Sequence, residues 1–223
     1  GIHVGGVGTV FAGLLSDPHN NAGVARTILT GPLHLSDAAA MERLTDPAGG
    51  VQIAYSSRHG IYQGLDETQR STLYEIERRY GVALLYGTRR FGDFTCEVLL
   101  ADADEANPQE ANLFKYACWE AFGLDSLRHS SNAEYNLYMA LASPLLAALG
   151  AIGAVAEADR NQQFLLAHDW LAMPLVLAAE INQPGQWRTA FYAHETTTAR
   201  RLIEEKSGHD TAFYNALYKA KEG

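Results

Sequence analysis

The stretch Phe164-Leu165-Leu166-Ala167-His168-Asp169-Trp170, with the helical pattern over 171–181 behind it, carries the fold reading. A four-residue apolar run that stops at polar side chains reads as a short buried strand. A helix follows at once. The same order recurs in Phe191-Tyr192-Ala193-His194-Glu195-Thr196, a strand over 189–193 running into a helix over 196–205. Upstream, the pattern predicts a helix over 7–15 and strands over 27–32 and 51–55. A helix over 68–80 closes at Gly81, and strands over 82–86 and 94–101 follow. Asn107-Pro108 opens a helix that ends at Gly123, and a long helical region spans 133–158. A final helical pattern runs over 210–220. Strands alternating with helices predict an α/β domain, a parallel sheet with helices on both faces. Ligands in such sheets sit at the carboxyl ends of the strands. The segment 34–50 is read as a loop too short to separate domains, so residues 1–223 form one domain.

Composition sets bounds on function. The chain has 223 residues, 47% of them apolar and 19% charged, with a net charge of -9. That is enough for a full core, and the acidic balance argues against a nucleic-acid surface. No apolar run approaches the roughly 20 residues that span a bilayer. The apolar stretch over 143–156 reads as a buried core helix. Cys96 and Cys118 fit no metal spacing and no disulfide framework, so a reducing cytoplasm is the expected setting. The glycine turn at the start ordinarily follows a strand, and the far end leaves straight from a helical pattern. Both are read as features of a piece of a longer protein.

Three places can carry chemistry. The first is Gly5-Gly6-Val7-Gly8, which opens the first helix. Glycines let backbone amides approach an anion or a sugar hydroxyl, and the helix start offers free donors. The dinucleotide fingerprint requires a third glycine where Phe11 stands, and no phosphate-loop lysine follows. A plain tight turn is the other reading. The second place is His168 and Asp169 at the end of their strand: a ligand-contacting pair, or a helix cap by Asp169 beside a hydrogen-bonded histidine. The third is His194 and Glu195, in the same arrangement one unit later, with Arg200 one turn into the next helix as an anion partner. The recurrence suggests that both strand ends face one cleft. Trp119, Tyr135 and Tyr138 stand at helical spacing and read as core. His59, His129 and His209 read as surface.

These residues resemble those of glycogen synthases, in particular the animal and fungal type. Members open with Lys-Val-Gly-Gly-Ile-Tyr-Thr-Val, where this chain has His3-Val4-Gly5-Gly6-Val7-Gly8-Thr9-Val10. Their His-Glu-Trp motif corresponds to His168-Asp169-Trp170, the form seen in bacterial starch and glycogen synthases. Thr-Thr-His-Ala-Thr, Gly-Arg and Asp-Phe-Tyr-Asn-Asn-Leu follow in the family. Tyr192-Ala193-His194-Glu195-Thr196, Ala199-Arg200 and Ala212-Phe213-Tyr214-Asn215-Ala216-Leu217 stand here. The resemblance implies a Rossmann-like domain, the amino-terminal, acceptor-side half of a GT-B glycosyltransferase. It implies retaining transfer of glucose from a nucleotide sugar such as UDP-glucose or ADP-glucose to a glucan, with no cofactor and no required metal. His168 would act as the catalytic contact to the transferring sugar. His3, Gly5, Gly6, Asp169, His194, Glu195 and Arg200 would bind substrate. The family lysine ahead of the glycines is replaced by His3, mostly neutral near pH 7, which points to an altered donor or acceptor preference. The family's nucleotide-binding and catalytic Arg, Lys and Glu belong to a carboxyl-terminal domain, so this chain is expected to be inactive alone. The partners implied are the nucleotide sugar, the glucan and that second domain, without nucleic acid or membrane. Homo-oligomer formation is compatible with the same features. Two other readings stay open: a metal-dependent hydrolase built on His168, Asp169, His194 and Glu195, and a non-catalytic sugar-binding module.

Overall fold

The computed structural model describes residues 6–46, 49–155 and 163–193, together with Thr211 and Asn215. Its elements are α1 (Gly6–Ser16), α2 (Pro18–Asn21), β1 (Ile28–Pro32), α3 (Ala38–Thr45), β2 (Val51–Ser56) and β3 (Ile61–Tyr62). Then come α4 (Glu67–Tyr80), β4 (Ala83–Phe91), β5 (Phe94–Asp102), α5 (Pro108–Phe122), α6 (Ala133–Ala151), β6 (Phe164–His168), α7 (Met173–Asn182) and β7 (Arg188–Tyr192). The α/β class holds. The expectation of a parallel sheet is corrected: the main sheet is mixed, in the order β1-β5-β4-β2-β3. Only β1 and β5 pair parallel in it. The cause is Gly92-Asp93. These two residues join β4 to β5, whose ladder closes at Phe91↔Phe94. Parallel neighbours require a crossover of a dozen residues or more, so a two-residue link leaves only the antiparallel hairpin. Gly92 has φ 59°, the left-handed value such a turn requires at its first central position. A second, two-stranded sheet pairs β6 with β7 in parallel, the strand–helix–strand unit formed with α7.

β4 and β5 are apolar on both faces, and successive residues pack into different clusters. Leu84, Leu99 and Ala101 face a layer built from α4, α5, α6 and α7, with Leu73, Phe114, Met139, Leu145 and Leu175 among its buried members. Leu85, Val98 and Leu100 face the opposite way, toward Leu15 of α1, Leu33 and Leu44 of α3. The two thiols divide in the same manner: Cys118 lies in the first cluster and Cys96 in the second, both free and buried. Burial pushes each thiol up to about 11.

Local chemistry sets the helix ends. Asp37 caps α3, its carboxylate accepting the Ala40 N–H at 3.0 Å, so the segment read as a loop contains a two-turn helix with Leu44 buried beneath it. Asp66 and Gln69 form a reciprocal capping box at α4. The long helix stops at Ala151 rather than 158. Gly153 turns left-handed there (φ 68°), and the Ala154 N–H reaches back to the Leu149 carbonyl at 2.9 Å. Trp119 is not core; it is 55% exposed. The helix α5 buries Phe114 and Cys118, and the next residue points about 100° away from that stripe. Tyr135 is buried, as expected. Among the described residues no helix is long and apolar enough to cross a membrane.

One polar network ties both ends of this architecture together. The Arg26 guanidinium, just ahead of β1, donates two bonds to the Glu97 carboxylate of β5 (2.6 and 2.7 Å). It donates two more to the Gly153 and Ile152 carbonyls behind α6 (2.7 and 3.1 Å). The Tyr86 hydroxyl donates to the same carboxylate at 2.5 Å. Burial acts to raise the Glu97 pKa, but the bonds from Arg26 and Tyr86 outweigh it and hold the group below the usual carboxylate range. Burial, then the bond to Glu97, pushes the Tyr86 hydroxyl up to about 12.

Three substitutions test this packing. A carboxylate with a depressed folded pKa adds stability above its unfolded value, near about 4.3, and loses it as pH falls through the folded value. In urea titrations the stability gap between the wild type and Glu97→Gln is therefore expected to be full at pH 7 and to narrow below about pH 4. Gly81→Ala is expected to cost about 2–4 kcal/mol in the same assay, combining left-handed strain (φ 64°) with a Cβ driven into the Glu105 carbonyl. Gly23→Ala, at φ 80° with open space around it, is expected to lose less.

Candidate functional site

The end of β6 and the first helix meet. His168 closes β6 and is 8% exposed. Its imidazole contacts two aromatic rings. The Phe11 ring of α1 stands 4.1 Å away between centroids, tilted by 47°, and the Tyr192 ring stands 5.4 Å away, tilted by 30°. Tyr192 is the parallel-register partner of His168 at the end of β7. Two distant sequence features, the glycine-opened helix and the His-Asp-Trp strand end, thus share one edge of the β6–β7 sheet. The dinucleotide fingerprint would use a glycine at position 11 to bring helix and strand close. Here Phe11 holds that helix to the strand end by ring contact instead.

Asp169 directs the chain out of the strand. Its N–H donates to the Tyr192 carbonyl at 2.9 Å, and its own carbonyl accepts the Ala172 N–H at 3.2 Å. That second bond opens a 3₁₀ turn over Trp170–Ala172, which leads directly into α7. The backbone sits at φ 64°, ψ 172°, a conformation costing a side-chain-bearing residue of order 1–3 kcal/mol. Its side chain makes no capping hydrogen bond. The reading of Asp169 as a helix cap is thereby corrected. A cap needs an extended residue ahead of free N–H groups, and Asp169 has the opposite sign of φ. Trp170, next in the chain, is 40% exposed beside it.

The remaining expected residues divide as follows. Gly6 is the first residue of α1. His3, Gly5, His194, Glu195 and Arg200 lie outside the described residues, as does His209. Phe11 and Tyr192 were not singled out in the sequence, although both carried a signal. Phe11 occupies the place of the missing third glycine, and Tyr192 occupies in β7 the place that His168 has in β6. Among the described residues no three His, Cys, Asp or Glu side chains gather as a metal-ligand group. Two of the four residues of the metal alternative, His194 and Glu195, lie outside the described residues. His59 and His129 lie at the surface, and Ser56 Oγ is 2.9 Å from His59 Nδ1.

A separate hollow of about 390 Å³ is lined by Arg58, Tyr62, Tyr74, Glu77, Arg78 and Asp102, among others. Its two buried acids serve the fold. Glu77 accepts the Tyr55 hydroxyl at 2.8 Å and the Leu84 N–H at 2.7 Å. Asp102 accepts the Leu35 and Asp104 N–H groups at 2.5 and 2.9 Å. Each of their carboxylate oxygens accepts one bond from backbone or tyrosine, which ties both acids to the fold.

No protein-family model and no curated protein sequence matches this chain.

The ring contact itself can be tested. Phe11→Ala is expected to lower stability by about 1–3 kcal/mol and to shift the His168 ring resonances in NMR spectra. Unmoved His168 resonances in a folded Phe11→Ala protein would remove α1 from the site.

Proposed function

We propose that the chain is the acceptor-side domain of a retaining glycosyltransferase that builds a glucan from a nucleotide sugar. One observation carries the reading: the Phe11 ring of the glycine-opened helix packs against the His168 ring at the end of β6, 4.1 Å between centroids. The contact joins the helix that follows the glycine motif to the strand end that carries the His-Asp-Trp motif, which supports the resemblance to glycogen synthases. The helix start supplies N–H donors for sugar hydroxyls or a phosphate. His168, packed against Phe11 and Tyr192, would be the contact to the transferring sugar. Asp169 and Trp170 would supply an acceptor and an apolar face. Departure of the nucleoside diphosphate demands positive charge close to its oxygens. On this reading that charge belongs to a second domain facing the strand ends, and the present chain binds without turning over.

The test is a titration of the 223-residue protein with maltotetraose and, separately, UDP-glucose and ADP-glucose, followed by amide and histidine-ring NMR. Shifts at His168, Asp169, Trp170 and Tyr192 with Kd on the order of mM, and no released nucleotide, are the expected result. Shifts confined to other surfaces, or none with any of the three, would sink the reading. Stoichiometric, tightly held zinc or manganese in the purified protein would favour the hydrolase alternative.

A further inference from the structure

Among the described residues every positive-φ position but one is occupied by glycine: Gly23, Gly60, Gly64, Gly81, Gly92, Gly123, Gly153 and Gly185. The exception is Asp169. Its ψ of 172° takes it outside the ordinary left-handed helical region that aspartate tolerates, into a region glycine alone enters freely. Local hydrogen bonding gives no reason for an acid there. Asp17, Asp37, Asp66, Asp125, Asn107 and Asn132 each accept a backbone N–H at the start of a helical segment. Among the described residues the Asp169 carboxylate caps no N–H and shows no ion-pair partner. The bonds that hold the residue are made by its backbone, to Tyr192 and Ala172, and glycine would make both. Among the described residues, then, the side chain makes no hydrogen bond that offsets the strain of its backbone.

We propose that Asp169 is retained for a ligand: its two carboxylate oxygens receive a pair of adjacent hydroxyls from a sugar seated against His168 and Trp170. The inference rests on the sugar-transfer reading and adds to it a specific contact and a cost. A carboxylate offers only acceptors, so it suits a donor pair such as a vicinal diol, and it disfavours the diphosphate of the nucleotide. The half-buried position strengthens such bonds relative to open water. The exposed indole beside it presents an apolar surface for the C–H face of the same ring.

The experiment compares the 223-residue wild type with Asp169→Gly and Asp169→Asn, by thermal unfolding and by maltotetraose titration. Asp169→Gly is expected to raise Tm by about 2–4 °C, the shift of a modest strain relief in a chain of this size, and to weaken sugar binding at least tenfold. Asp169→Asn keeps the shape and the strain but loses an acceptor oxygen. It is expected to melt within about 1 °C of the wild type and to bind several-fold more weakly. A lower Tm for Asp169→Gly overturns the strain argument. Wild-type binding that survives in both variants overturns this inference alone. A wild type that binds neither maltotetraose nor UDP-glucose overturns the sugar-transfer reading and this assignment with it.

Discussion

The constraint on which the molecule depends is that β5 keeps water from both of its faces. Val98 and Leu99 are adjacent, point in opposite directions and are both fully buried. A strand of this kind must be covered twice. One cover is the thick layer of α4 to α7. The other is thinner, made from α1, α3 and the segment after β1. While α1 is committed to the second cover through Leu15, its middle residue Phe11 reaches His168 at the end of β6. The candidate site is in this sense a by-product of core packing. Its position follows from the need to roof β5.

The network around Glu97 complements that apolar constraint. A guanidinium ahead of β1 reaches a carboxylate on β5 and two carbonyls behind α6, while a tyrosine of β4 reaches the same carboxylate. The donors match the acceptors well enough to overcome the desolvation cost of a partly buried carboxylate. The arrangement fixes where α6 ends relative to β1.

Most of the elements were legible in the sequence, and the reasons are local. Asn107-Pro108, Gly81 and Gly123 mark helix ends through backbone chemistry that tertiary contacts rarely override. The apolar run before His168 announced a strand because it is short and sharply bounded. Strand direction was misread. The Gly92-Asp93 pair is itself a hairpin signal between two β-rich runs, but the polar residues ahead of it interrupt the apolar pattern of the first strand. The helix α3 was missed although Asp37 followed by three alanines is a start signal. At the site, His168 and Asp169 were found by their place at a strand end. Phe11 and Tyr192 were not, since their role arises from contacts between α1, β6 and β7 that no local pattern encodes. The unusual backbone of Asp169 was likewise invisible, because aspartate before a helix ordinarily means a cap.

The division of the two cysteines between the clusters has a practical meaning for the dynamics of the domain. Cys96 and Cys118 are sealed on opposite sides of the same sheet, each held as a protonated, unreactive thiol. An alkylating reagent can reach one only when the thin roof lifts and the other only when the helical slab parts. The molecule therefore carries two internal clocks, which separate breathing at the roof that bears α1 from loosening of the main core.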